Sequence, residues 1–293
     1  MIRRPIRARR TTIAIALATL LALIGARAPL RAAEPPKFSP PKAYYLALGD
    51  SFAYGFQYPK WLAGLPPSGF DTGYVDVFAD QLREIQPAIE VVNYACVGES
   101  TRTFARGTCL GKTLGVPLHD EFSGTRLQAA VAFLSAHRGD VSPITLTLWG
   151  NDIRELSEAC GGNPTRILDG ARGTIAQIAT NLRTILAQLR AAAPEAEIIV
   201  TGPWNSGIGT FAITDPLYIG LNDAMRDAAA STRTRFADLF PAFNPQGDID
   251  AETAAICTLT LLCTEGDIHP SDVGYQAIAD DIWNVSDYAR LVQ

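Results

Sequence analysis

Short stretches of this chain carry groups that could do covalent chemistry. Gly49-Asp50-Ser51 follows an apolar run and reads as a sharp strand-to-helix turn, which would present the Ser51 hydroxyl at a sheet edge beside helix-start amides. A serine placed there is a candidate nucleophile with donors for an oxyanion, although Asp and Ser are also ordinary helix caps. Such a serine needs a base, and the chain has three histidines. His269 lies in Gly266-Asp267-Ile268-His269-Pro270, where Pro270 biases the preceding residue toward extended backbone and opens a helix well. The favoured base is therefore His269, with Asp267 two residues away as the acid that orients it. A surface helix cap is the plain alternative for this pair. His137 ends a helical pattern and reads as a partner for helix C-terminal carbonyls, and His119, in a long loop, is the reserve base.

Two further groups follow apolar runs. Asn93-Tyr94-Ala95-Cys96-Val97-Gly98 ends in a glycine whose amide can approach a ligand closely, and Trp149-Gly150-Asn151-Asp152 places a side-chain amide at a strand exit. With the Ser51 amide, Gly98 and Asn151 would make a three-point oxyanion hole; singly they read as a turn glycine and a helix cap. Trp61, Trp149 and Trp204, with Phe52, Tyr54 and Phe56, could line an apolar groove for acyl or aryl groups, or simply be core.

These residues must be positioned by regular elements. Apolar runs at 44–48, 89–94, 144–148, 197–201 and 234–238 alternate with helical patterns at 74–86, 125–137, 165–192, 215–230 and 271–291. That alternation predicts an α/β fold with a five-stranded parallel sheet covered on both faces, in which ligands bind beyond the carboxyl ends of the strands. Segments 52–73 and 99–124, rich in Gly and Pro, read as loops over that edge.

With 293 residues, 47% of them hydrophobic and 19% charged, the chain has enough apolar surface for a packed core. An Arg-rich start, an apolar run at 13–24 and Ala26-Arg27-Ala28 read as a signal peptide over 1–28, cleaved after Ala28. The run is too short for a membrane span, so an exported protein with no transmembrane span after signal removal is expected, with an uncleaved anchor as the alternative. Residues 29–43 read as a Pro-rich linker and 44–293 as one domain. Loss of the six arginines of 1–28 takes the formal charge from −5 to −11, which excludes nucleic acid as an expected partner.

The five cysteines read as bridges rather than metal ligands, since no C-x-x-C or H-E-x-x-H occurs. Cys257 and Cys263 are expected to pair locally and Cys109 with Cys160, both following strands, which leaves Cys96. No Gly-x-Ser-x-Gly occurs, and Gly207-Ile208-Gly209 lacks the context of a nucleotide site.

Together these residues resemble the SGNH (GDSL-type) serine hydrolase family over residues 44–293, with 93–101 and 257–275 similar to an exported, disulfide-containing branch of its esterases and lipases. Gly49-Asp50-Ser51 matches the first block, Gly98 the second, Asn151 the third, and Asp267 with His269 the last. The resemblance implies a flavodoxin-like three-layer sandwich, no metal or cofactor, and hydrolysis of small-molecule or lipid carboxylic esters through an acyl-enzyme on Ser51. Trp149 stands where the family's third block has glycine, and could narrow the acyl pocket or pack under it; Trp149, Trp204 and Phe52 are the candidate substrate contacts. The family's acid usually lies three residues before the histidine, where this chain has Gly266, so a backbone carbonyl orienting His269 is the alternative to Asp267. Polysaccharide O-deacetylation and a catalytically silent extracellular binding role are the competing functions.

Overall fold

Each of the five apolar runs is a strand in the computed structural model, which describes residues 34–292. In chain order these are β1 (Tyr44–Gly49), α1 (Ser51–Tyr54), α2 (Tyr58–Leu62), a 3-10 turn (Pro67–Phe70), α3 (Tyr74–Arg83), β2 (Glu90–Asn93), α4 (Thr101–Arg106), α5 (Leu110–Thr113), α6 (Arg126–Ala136), β3 (Val141–Thr147), α7 (Gly150–Ala159), α8 (Pro164–Ala192), β4 (Ile198–Thr201), α9 (Phe211–Ala230), β5 (Arg235–Ala237), α10 (Phe240–Phe243), α11 (Ile249–Leu259), α12 (Leu262–Glu265), α13 (Asp272–Ser286) and a closing 3-10 turn (Tyr288–Leu291). The signal-peptide reading of 1–28 falls outside the described residues.

The strands are all parallel in the order β2-β1-β3-β4-β5, with Leu46 opposite Val92 on one side and Ile144 on the other. Parallel strands covered on both faces have no polar side to show, and Tyr45, Leu46, Ala47 and Leu48 of β1 are fully buried. Burying each leucine contributes about 1.5–3 kcal/mol. Helices close both faces into a three-layer sandwich: α3 packs on α13, and α8 on α6 and α9. On α3 the buried Tyr74, Val75, Phe78, Ala79 and Leu82 form one stripe, the pattern a half-buried helix requires. Strand order reverses at β1 and β3, so the crevice where this fold binds ligands lies beyond Gly49 and Thr147.

The structure differs from the sequence reading in places. The helix expected over 271–291 is divided, because Asp287 turns into the left-handed region at φ 60° and α13 stops at Ser286. Helices α7, α10, α11 and α12 were not expected, and the two long segments hold the short helices α2, α4 and α5. Residues of the Pro-rich stretch bond to the domain: Ser39 N–H donates to Glu197 Oε2 at 2.9 Å and Lys37 pairs with Glu195 at 2.8 Å. No helix among the described residues is long and apolar enough to cross a membrane.

The cysteine pairing needs correction. Cys257 and Cys263 are bonded, but Cys109 pairs with Cys96 rather than with Cys160, whose thiol is free. The chain after β2 folds back so that Gly111 N–H reaches Val97 O at 2.7 Å, which brings the Cα atoms of Cys96 and Cys109 within 6.2 Å. Cys160 instead caps the C-terminus of α7.

Candidate active site

At the exit of β1 the chain turns so tightly that Gly49 has φ 146°, and a Cβ there would lie 2.5 Å from Thr147 O on β3. Only glycine fits this approach. Asp50 caps α1, its Oδ1 accepting the Phe52 N–H at 3.0 Å, so Ser51 becomes the first residue of that helix. A first helical residue has no intrahelical acceptor, and the Ser51 N–H meets none elsewhere among the described residues. Asp50 is fully buried, and burial, reinforced by the charges of Asp152 and Glu99, pushes its carboxyl well above the usual range.

The loop after β2 brings a second amide to the same edge. Gly98 has φ 77°, a Cβ on it would sit 2.6 Å from Leu110 Cβ, and its N–H also has no acceptor among the described residues. That loop is tied to the third strand exit by Asp152, whose two oxygens take the Thr101 N–H at 2.9 Å and the Thr101 hydroxyl at 2.6 Å. Asn181 of α8 donates to the same hydroxyl at 2.9 Å. Asn151, next to Asp152, has its Oδ1 held by Arg154 Nε at 3.2 Å. Arginine can only donate, so this contact fixes the amide orientation and leaves Asn151 Nδ2 as the outward donor. Behind them Glu99 and Arg126 form a fully buried ion pair, to which Thr103 adds a hydroxyl.

The fourth contribution comes from the loop before α13. Asp267 Oδ1 lies 2.5 Å from His269 Nδ1 and also accepts the His269 N–H at 3.2 Å, while Oδ2 accepts the Tyr58 N–H at 2.7 Å. Burial works to raise the Asp267 carboxyl, but the imidazole and the two amides outweigh it and hold it below the usual range. The His269 ring packs edge-on against Phe56 at 4.9 Å and Phe52 at 5.6 Å, the rings that follow Ser51. His119 instead bonds Tyr54 O through Nε2 at 3.0 Å, and His137 packs on Tyr44 at the opposite end of β1.

Phe52, Trp149 and Trp204 form one packed cluster, with centroids 4.5–5.6 Å apart, and all three are buried. Trp204 is stacked on Phe243 and only 1% exposed. The aromatic side chains that face solvent are Tyr58 and Trp61 on α2, with Leu62 and Leu65 beside them, and Trp61 leans on Phe56. Sequence reasoning missed Tyr58 and the Thr101–Asp152 tie; a backbone donor and a buried threonine leave no motif.

A model of the GDSL-like Lipase/Acylhydrolase family matches residues 47–277. In fold the chain is similar to a structure described as a GDSL-like lipase from Parabacteroides merdae, at 17% identity and TM-score 0.55 over 86% of this chain and 99% of that one. It is similar also to the lipase Lip_vut3 from a goat rumen metagenome (17%, 0.55, 85% and 99%) and to Axe2, an acetylxylan esterase from Geobacillus stearothermophilus (16%, 0.53, 84% and 95%). No curated protein matches the chain in sequence. The family model covers most of the chain, including every strand exit described above, and the protein therefore belongs to the GDSL-like lipase/acylhydrolase family, as a carboxylic ester hydrolase.

Proposed function

We propose that this hydrolase is a secreted serine esterase working through an acyl-enzyme on Ser51, with His269 as base and Asp267 as the acid that orients it. The observation that carries the reading is the Asp267–His269 pair, 2.5 Å apart, seated on the rings of Phe52 and Phe56 just after Ser51. An ionised Asp267 on Nδ1 keeps the imidazole proton there and leaves Nε2 as the acceptor for the Ser51 hydroxyl proton. Ser51 Oγ then attacks the ester carbonyl carbon, and the oxyanion takes hydrogen bonds from the Ser51 and Gly98 amides and from Asn151 Nδ2. His269 returns the proton to the leaving alcohol. A water deprotonated by His269 attacks the acyl carbon and frees Ser51.

The exposed Tyr58, Trp61 and Leu62 beside the base support an apolar acyl or aryl group as the bound part of the substrate. The same two exposed rings could stack on sugar, which favours polysaccharide O-deacetylation as the second reading; the acetylxylan esterase shares the fold alone. Secretion rests on the leader pattern of 1–28 and on two disulfides.

Hydrolysis of p-nitrophenyl esters from acetyl to long acyl chains, by the chain without its leader and by Ser51→Ala, tests the reading. Turnover that vanishes in the variant, with a single phosphonate adduct on Ser51, is expected. Acetyl-only activity would favour the deacetylase, and a folded protein without turnover or adduct would leave a binding role.

A further inference from the structure

The nucleophile and the base sit at opposite ends of the sequence, and no hydrogen bond within α1 explains how the loop carrying Asp267 and His269 stays in register with Ser51. The segment that follows α1 does. Phe56 O accepts the Tyr275 hydroxyl at 2.8 Å, and Tyr58 N–H donates to Asp267 at 2.7 Å. Between them Gln57 is buried, 5% exposed, and its side-chain nitrogen has both hydrogens engaged: one on Pro270 O and one on Asp272 Oδ1, each at 3.0 Å. Pro270 is the residue after His269, and Asp272 opens α13.

We propose that Gln57 is a positioning residue for the base: it touches no reacting atom and acts by fixing the 267–272 arm over Ser51. The proposal rests on the Ser51–His269–Asp267 reading. The arm has a back and a front. At the back, Leu261 N–H bonds His269 O at 2.9 Å and Ser271 N–H bonds Leu259 O at 3.0 Å, on a segment closed by the Cys257–Cys263 bridge. At the front, Asp272 also has Thr72 at 3.1 Å and Lys60 at 3.9 Å, so Gln57 is not its only partner. Pro270 O, on a buried residue, receives a hydrogen bond from Gln57 alone among the described residues. A planar amide that donates in two directions suits two acceptors, one of them a carboxylate. Glutamate could not donate and would set a second carboxylate beside Asp272; methionine would fill the same space and donate nothing. Loss of the front anchor frees His269 to drift, and a displacement of about 1 Å at a reacting group costs on the order of 100-fold in rate.

The experiment is steady-state hydrolysis of p-nitrophenyl esters by Gln57→Met, alone and combined with His269→Ala, beside Ser51→Ala and His269→Ala. For Gln57→Met we expect kcat to fall roughly 10- to 100-fold with KM nearly unchanged, and phosphonate labelling of Ser51 to slow by a similar factor. On the residual activity of His269→Ala, Gln57→Met should cost nothing further, because the group it positions is already gone. A Gln57→Met enzyme with wild-type kcat, while Ser51→Ala is inactive and His269→Ala falls to a residual rate, would overturn the proposal and leave the catalytic reading intact. A loss that persists in full in the His269→Ala background marks a structural role and overturns it too. Activity retained by Ser51→Ala would instead remove the reading on which it rests. Should Gln57→Met fail to fold, judged by its Tm, Gln57→Asn, uncharged and one methylene too short to reach both acceptors, is read by the same criteria.

Discussion

Asp267 uses its two oxygens on two different segments: Oδ1 takes the imidazole of His269 and Oδ2 the backbone amide of Tyr58 at the start of α2. Replacing it by asparagine puts a donor against one of these hydrogens and favours the wrong imidazole tautomer. Asp267→Asn should lower kcat by roughly 1,000- to 10,000-fold while the fold persists, measured by ester hydrolysis alongside circular dichroism.

The carboxyl of Asp267 is held low in the folded protein although burial opposes it, so ionised Asp267 favours the folded state. A group with a depressed folded pKa contributes stability above its unfolded value, about 3.9, and loses it as pH falls through the folded one. The Tm gap between wild type and Asp267→Ala should be flat from pH 5 to 8 and shrink below about pH 4. A gap that widened in acid would contradict this.

Asp76, in the first turn of α3, is the opposite case: burial, then the charge of Asp71, push it up to about 7. Its raised carboxyl leaves stability intact below about pH 4 and withdraws it as pH climbs toward 7. Asp76→Asn should therefore be neutral at pH 4 and more stable than wild type above pH 7. Because the residue is partly exposed, the gain is on the order of 1 kcal/mol, about 2–4 °C in Tm.

On the proposed mechanism, Asn151→Ala removes one oxyanion donor and should reduce kcat about 100-fold or more, with KM little changed. Gly98→Ala tests its neighbour differently, since the new Cβ would meet Leu110 Cβ at 2.6 Å. Shortening Leu110 to alanine in the same chain leaves the φ of 77° as a separate source of strain, so rescue of activity should be partial.

The bridge between Cys96 and Cys109 closes a loop of 13 residues and should contribute about 3 kcal/mol to stability. Ser replacement of both cysteines should lower Tm accordingly and, by loosening the Gly98 segment, lower kcat as well. In the unreduced protein a maleimide should add once, at Cys160. Intact mass counts the adducts, and peptide masses after digestion report which cysteine is modified.

The sheet was legible because each strand holds apolar residues between turn residues, and Ser51, Gly98 and Asn151 stood out as candidates because they follow β1, β2 and β3. The unexpected helices hid for local reasons. In α7 only Ile153 and Leu156 are large apolar residues among ten, and α2, α4 and α5 are shorter than the two turns that periodicity needs. The local Cys257–Cys263 pair was legible, but the partner of Cys109 was not, because closure entropy changes slowly with loop length and pairing with Cys96 or Cys160 costs nearly the same. Gln57 carries no motif at all: its role depends on a carbonyl 213 residues away.

That separation has a consequence for when the protein becomes reactive. A nascent chain holds Ser51 from early in synthesis, yet the groups that arm it arrive with the last stretch and must be brought back across the whole fold to residues 56–58. Ester cleavage on this reading is switched on by completed tertiary structure, so a truncated or half-folded copy carries an inert serine.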